Sequence, residues 1–277
     1  MSTIQELLAR RVSLAAVSDS AGLDAELLLR HCLQCSRTYL YTWPEREVPA
    51  AVEQQFMALL QRRAQGEPIA YLLGEREFWS LPLAVDASTL IPRPDTETLI
   101  EFALELRDNQ PASVLDLGTG TGAIALALAS ERPHWSVLGV DLNPNAVTLA
   151  QRNAAALNVR NATFLQSDWF AQTPLRPFDL IVSNPPYIDG DDPHLVVGDV
   201  RFEPRTALVA DRAGLGAIID ITERAGAYLA QGGWLLFEHG WEQGAAVRAL
   251  LERHGFDKVT TRRDAGGRER ISGGCKS

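Results

Sequence analysis

Residues 116–131, DLGTGTGAIALALASE, set Gly118, Gly120 and Gly122 between a short apolar run and an apolar stretch of helix length. Glycines at a strand-to-helix turn let the backbone approach a ligand closely, and the amides of the following helix N-terminus face it. The spacing is GxGxG rather than the GxGxxG of dinucleotide sites, and no Lys or Arg follows to hold a phosphate as a P-loop would. The flanking sequence repeats the theme. SVLDLG (113–118), SVLGVD (136–141), ATFLQ (162–166), DLIVSN (179–184) and WLLFEH (234–239) are short apolar runs, most of them separated by segments of helix length. Such runs predict strands buried on both faces, hence a parallel sheet in an α/β layer fold. Two last runs, 258–262 and 268–272, are joined through Gly266 and Gly267. So short a link requires an antiparallel pair, placed at the sheet edge.

At 277 residues the chain is nearly twice the length of about 150 expected for one domain, which predicts two units. Before the α/β part, apolar residues recur at helical spacing: Ile4, Leu7, Leu8, Val12 and Ala15, then Leu27, Leu28, Leu29 and Leu33, then Val52, Phe56, Leu59 and Leu60. These stripes predict a small all-α domain over residues 1–70. From Tyr71 to Pro94 the period changes and Gly and Pro intervene, as in a hairpin or linker over 71–94. The α/β domain is expected over 95–277.

A net charge of -9 leaves no global field for a phosphate backbone, which disfavours nucleic acid as partner. There is no apolar run of membrane-spanning length and no signal-peptide pattern, and three cysteines are an odd number for a disulfide scaffold. A cytoplasmic protein without a membrane partner is the expectation. Cys32 and Cys35 form a CxxC beside His31, but no second ligand pair follows, so they read as buried apolar thiols and no metal is expected.

Asp141 ends the second strand run, twenty-three positions after Gly118. An acid there can accept hydrogen bonds from both ribose hydroxyls of an adenosine, although Asn143-Pro144 opens the next helix and Asp141 could instead serve that turn. Trp169 follows the third strand, where an adenine could rest or the ring could join the core. These signals leave NAD and S-adenosylmethionine both open. VSNPPY (182–187) decides between them. It puts Asn184 at the carboxyl end of a buried strand, where open α/β sheets bind ligands. Pro185 and Pro186 remove two backbone donors and fix two φ angles, leaving a stiff turn that presents acceptors. The Asn184 side-chain oxygen and the Pro185 carbonyl can together bind both hydrogens of a planar NH2 group, with Tyr187 packed on its face. Held so, a weakly nucleophilic amide or exocyclic amine can aim its lone pair at a sulfonium methyl about 3 to 3.5 Å away. Positioning, not a strong base, is what this reaction needs.

Gly118–Gly122, Asp141 and Asn184–Tyr187 resemble the class I S-adenosylmethionine-dependent methyltransferases that act on planar nitrogen. GEPIAYLLGEREFWSLPLAVDASTLIPRPDTE (66–97), QSDWF (166–170) and the stretch from Asn184 to RFEPRTAL (201–208) are similar to the peptide chain release factor glutamine methyltransferase family, HemK/PrmC, nearly end to end. The resemblance implies a Rossmann-like class I methyltransferase sheet with an antiparallel C-terminal edge hairpin, preceded by a helical substrate-recognition domain. It implies N5-methylation of the glutamine in the Gly-Gly-Gln motif of class I release factors, and a monomer is the expectation. By position, Gly118, Thr119, Gly120, Thr121 and Gly122 would hold the methionine part of S-adenosylmethionine, Asp141 the ribose and Trp169 the adenine region. Asn184, Pro185, Pro186 and Tyr187 would hold the target glutamine, with Asn184 also near the cofactor. Methylation of a ribosomal-protein glutamine, or of an adenine or guanine amine, are the alternatives. Arg93-Pro94-Asp95-Thr96-Glu97 matches a family pattern for which spacing supplies no role.

Overall fold

The Thr3 hydroxyl accepts from the Glu6 N–H (3.4 Å) while the Glu6 carboxylate accepts from the Thr3 N–H (2.8 Å), a reciprocal cap that starts the first helix, α1 (Ile4–Ala9). The computed structural model describes residues 2–277, in two units. The first, Met1–Glu75 with Pro193–Phe202, continues through a 3-10 turn (Arg10–Leu14), α2 (Ala21–Leu33), α3 (Arg37–Thr42), α4 (Ala50–Ala64) and α5 (Ile69–Leu73). Ile4, Leu7, Leu28, Leu29, Phe56 and Leu60 meet in its core as their spacing predicts. Val12 and Ala15 do not: both are exposed and Leu14 is buried instead. The tighter winding at Arg10–Leu14 rotates the stripe out of α-helical phase.

Inclusion of Pro193–Phe202 in the helical unit departs from the expected 95–277 boundary. Electrostatics explains it. The Arg63 guanidinium is buried on α4 and bonds both Asp24 (2.7 Å) and Asp199 (2.7 Å), while Arg201 donates to the Gln65 carbonyl (2.6 Å). A buried guanidinium needs such partners, and the chain supplies one of them from a distant loop. Cys32 and Cys35 are free thiols, and burial raises the pKa of both, Cys32 to about 11. Among the described residues no His, Cys, Asp and Glu cluster is placed to hold a metal, and no helix is long and apolar enough to cross a membrane.

The second unit, Arg76–Asp192 with Glu203–Ser277, opens on a two-stranded sheet of β1 (Glu75–Phe78) and β2 (Leu81–Ala84). Trp79 and Ser80 between them both take positive φ (52° and 59°), as a two-residue hairpin turn with the right twist requires. A seven-stranded sheet follows, built from β3 (Ser113–Leu117), β4 (Ser136–Asp141), β5 (Ala162–Gln166), β6 (Phe178–Ser183), β7 (Leu229–Glu238), β8 (Phe256–Arg263) and β9 (Glu269–Lys276). Its order is β5-β4-β3-β6-β7-β9-β8. The first five in this order run parallel; β9 is antiparallel to β7, and β8 pairs with it at the edge. The helices of this unit are α6 (Glu97–Leu106), α7 (Ala123–Glu131), α8 (Pro144–Ala156), the short α9 (Asp211–Gly214), α10 (Gly216–Ala225) and α11 (Gly244–Arg253).

Successive residues of each central strand enter different cores. Val114, Leu180 and Leu236 pack with α6 and α7, while Leu115, Ile181 and Leu235 pack with α10 and α11. This is why the runs are apolar throughout instead of alternating. The strand order reverses beside β3, where the chain goes outward to β4 and β5 and returns to β6. The crevice beyond the carboxyl ends of β3 and β6 is therefore where the fold places a ligand.

One buried amide secures that crevice. Asn153 on α8 accepts from the Ala84 N–H (2.9 Å) and donates to the carbonyls of Ala84 (3.0 Å) and Thr121 (2.9 Å), tying β2 and the glycine turn to one helix. Asn153→Ala leaves these backbone groups without their partner in a dry site and is expected to cost about 2 kcal/mol. Urea unfolding checks this, and an unchanged midpoint would contradict it.

Candidate active site

Gly118, Gly120 and Gly122 take φ of 73°, 54° and 83°, so a side chain at any of them would strain the turn. Asp116, near the end of β3, shapes it from below. Its Oδ2 accepts from the Thr119 hydroxyl (2.6 Å) and the Ala125 N–H (3.2 Å), holding the loop to the start of α7. Complete burial pushes this carboxyl up to about 7 against those hydrogen bonds. From the side, Asp141 Oδ2 accepts from the Gly120 N–H (2.9 Å) and Oδ1 from the Asn143 N–H (2.9 Å). Asp141 therefore does serve the turn before α8, and it also stands on the cavity wall. Burial raises its pKa, opposed by the two backbone N–H groups.

The cavity has a volume of about 390 Å³. It brings together Gly118, Thr119, Gly120, Thr121, Asp141, Trp169, Asn184 and Pro186 from the set singled out in the sequence. Trp169 has a positive φ of 49°, its carbonyl held by the hydroxyls of Ser167 (2.7 Å) and Thr173 (3.0 Å). The ring lies so close to the loop that a Cβ on Gly118 would come within 3.4 Å of it. Gly122 is not on the wall: Ala150, Leu126 and Phe164 already fill the space its Cβ would take, at 3.1 to 3.2 Å. Its place is in the packing of the turn against α7 and α8.

Asn184, just after β6, donates from Nδ2 to the Thr96 Oγ1 (3.2 Å), and Oδ1 is left as its unbonded acceptor. Pro185 is buried and Tyr187 stands off the cavity wall. The Tyr187 hydroxyl instead donates to Glu238 Oε1 (3.3 Å), at the end of β7, whose Oε2 accepts from the Thr96 hydroxyl (2.6 Å). Burial drives the Glu238 carboxyl up to about 7, opposed by the Thr96 hydrogen bond, the Arg270 charge and the Tyr187 hydrogen bond. It also raises the Tyr187 phenol, with Glu238 adding to the effect. Arg93 lines the cavity and pairs with the fully buried Glu203, which also accepts from the Ile91 N–H (3.1 Å). Within residues 189–203, Asp199 and Glu203 are paired with Arg63 and Arg93.

Sequence reasoning assigned no role to Asp116, Thr96, Glu238 or Asn153, although Thr96 stood in the matched 93–97 run. Asp116 stood inside the quoted DLGTGTG run, and a charged residue in an otherwise apolar strand was a usable signal. Glu238 gave the same signal in WLLFEH. No local signal gives Thr96 or Asn153 its role, because their partners are remote in sequence.

A parallel sheet with a glycine turn, an acid after the next strand and an acceptor-rich turn after β6 defines a methyltransferase fold, and the comparisons agree. The family model described as methyltransferase small domain matches residues 95–203, and the PrmC N-terminal domain model matches 6–74. A solved methyltransferase from Pyrococcus furiosus shares the fold at a TM-score of 0.55 and 18% identity, over 80% of this chain and 98% of its own. A release factor glutamine methyltransferase from Salmonella typhimurium is 56% identical over 93% of both chains. Those of Escherichia coli and Aliivibrio fischeri are 53% and 52% identical over at least 96% of each chain. The chain belongs to the release factor glutamine methyltransferase family.

Proposed function

We propose that this chain transfers a methyl group from S-adenosylmethionine to the side-chain amide nitrogen (N5) of the glutamine in the Gly-Gly-Gln motif of a class I peptide release factor. The observation that carries this reading is Asn184. Its NH2 side is committed to Thr96, which leaves an acceptor on the wall of a cavity that also holds the glycine turn and Asp141. The cavity residues fit the cofactor by their chemistry: Asp141 offers acceptors to ribose hydroxyls, the Trp169 ring an apolar face to adenine, and the positive-φ glycines an uncluttered backbone for the methionine part. Bound there, S-adenosylmethionine supplies an electrophilic methyl group, and its transfer leaves a neutral thioether and one proton that the amide nitrogen gives to solvent.

Asn184 Oδ1 and the Pro185 carbonyl, which no N–H of the turn occupies, hold the two hydrogens of the target amide and turn its lone pair outward. Pro185 and Pro186 keep that geometry rigid. Tyr187 stiffens the far end of the turn through Glu238. The net charge of -9 favours a basic protein over a nucleic acid, and the helical unit supplies the second surface for that protein. The enzyme works as a cytoplasmic monomer in this reading.

Mass spectrometry of a release factor after incubation with enzyme and S-adenosylmethionine is expected to show one added methyl group, located on the motif glutamine. Labelling that persists undiminished after that glutamine is changed to alanine would overturn the substrate assignment. Transfer to rRNA, DNA or a ribosomal protein instead would favour the alternatives.

A further inference from the structure

The direction of a hydrogen-bond chain decides what Asn184 can offer. Thr96 Oγ1 carries a single proton, and with Glu238 ionised that proton goes to Oε2, 2.6 Å away, because a carboxylate can only accept. What Thr96 has left toward Asn184 is a lone pair, 3.2 Å from Nδ2. An amide facing a lone pair turns its NH2 to it and its oxygen away. Were the Thr96 proton free, Asn184 could flip and present NH2 to the target amide, donor against donor.

We propose that Thr96 and Glu238 are positioning residues that fix the orientation of the Asn184 amide, so that its oxygen, not its nitrogen, meets the substrate. Glu238 also receives the Tyr187 hydroxyl, and so holds both ends of the Asn-Pro-Pro-Tyr turn from one buried carboxylate at the end of β7. The arrangement needs Glu238 charged in a dry site. Burial and the Asp95 charge work against that state, while the Thr96 hydrogen bond, the Arg270 charge and the Tyr187 hydrogen bond favour it, and Arg270 is in turn held by Asp95 (3.2 Å) and Asp264 (3.4 Å). Thr96 lines the cavity too, close enough to act yet acting through Asn184. This gives a role to one member of the 93–97 run and to an acid whose place in an apolar strand has no packing rationale.

The inference rests on the function proposed above, and its test separates the two. Thr96→Val keeps the shape and removes the hydroxyl. It is expected to lower the kcat of release-factor methylation roughly 10-fold or more, with S-adenosylmethionine affinity by titration calorimetry within about 2-fold of wild type, the loss following from an unpaired amide donor and a free flip. Thr96→Ser restores the hydroxyl and is expected to recover most of kcat. Should Thr96→Val fail to fold, Thr96→Ala, which leaves space, is read the same way against Thr96→Ser. A hydroxyl-free variant at wild-type kcat, or a serine variant as impaired as the valine one, overturns the inference while leaving the function standing. If the wild-type enzyme adds no methyl group to the release-factor glutamine, it is the functional reading that fails.

Discussion

Asn184→Ala is expected to lower methyl transfer to a release factor by about 10³-fold while S-adenosylmethionine binding falls much less. The size follows from what is lost. A preorganised group that meets charge or hydrogens in the transition state is worth roughly 10²- to 10³-fold in kcat when it acts in a water-poor cleft. In the proposed reaction Asn184 combines that acceptor with the orientation of the nucleophile, so the upper end applies. The fold should tolerate the change, because Thr96 keeps its bond to Glu238 and loses only a donor to its lone pair. No buried group is orphaned by it. Single-turnover transfer of labelled methyl, paired with calorimetric titration of the cofactor, measures both quantities. Activity within a few-fold of wild type would remove Asn184 from the reaction.

What could be read from the sequence follows the range of the interactions concerned. The five parallel strands were legible because burial on both faces demands runs of apolar residues, and the runs declare themselves locally. The glycine turn, Asp141 and the Asn-Pro-Pro-Tyr turn were legible for a related reason: each needs a special backbone or a fixed place at a strand end. Trp169 needed the resemblance, since an aromatic beyond a strand serves a core as readily as a ligand. The network beneath the site was not legible. Thr96 and Glu238 are 142 positions apart, and the packing of α6 against β7 brings them together. The same holds for Arg63 and Asp199, 136 positions apart, whose bond moves residues 193–202 into the helical unit. A buried ionisable residue needs a partner, but the sequence does not say where that partner lies. Gly122 shows the converse, a motif position whose glycine is required by its positive φ and by neighbouring side chains and not by the cavity.

The second large effect is expected at Asp141. Asp141→Ala should weaken S-adenosylmethionine binding by about 2 to 3 kcal/mol, on the order of 10²-fold, since hydrogen bonds to a charged acceptor are each worth roughly 1.5 to 3 kcal/mol. Asp141→Asn should do little better. In the protein both carboxylate oxygens already accept backbone N–H groups, from Gly120 and Asn143, and the asparagine NH2 would have to face one of them, donor against donor. Ligand fragments separate the proposed ribose contact of this carboxylate from its observed hold on the loop. If the ribose contact dominates, the wild-type enzyme binds adenosine better than 2′-deoxyadenosine and Asp141→Ala loses that preference. If the variant weakens S-adenosylmethionine but leaves adenosine binding intact, Asp141 serves only the glycine turn. The pH dependence has a definite sign. Burial raises the Asp141 pKa, so cofactor affinity should be full at high pH and decline as the pH falls, beginning above the range in which an exposed aspartate would titrate. Calorimetry across that range tests it, and an affinity that rises on acidification would show that the carboxylate is not the acceptor.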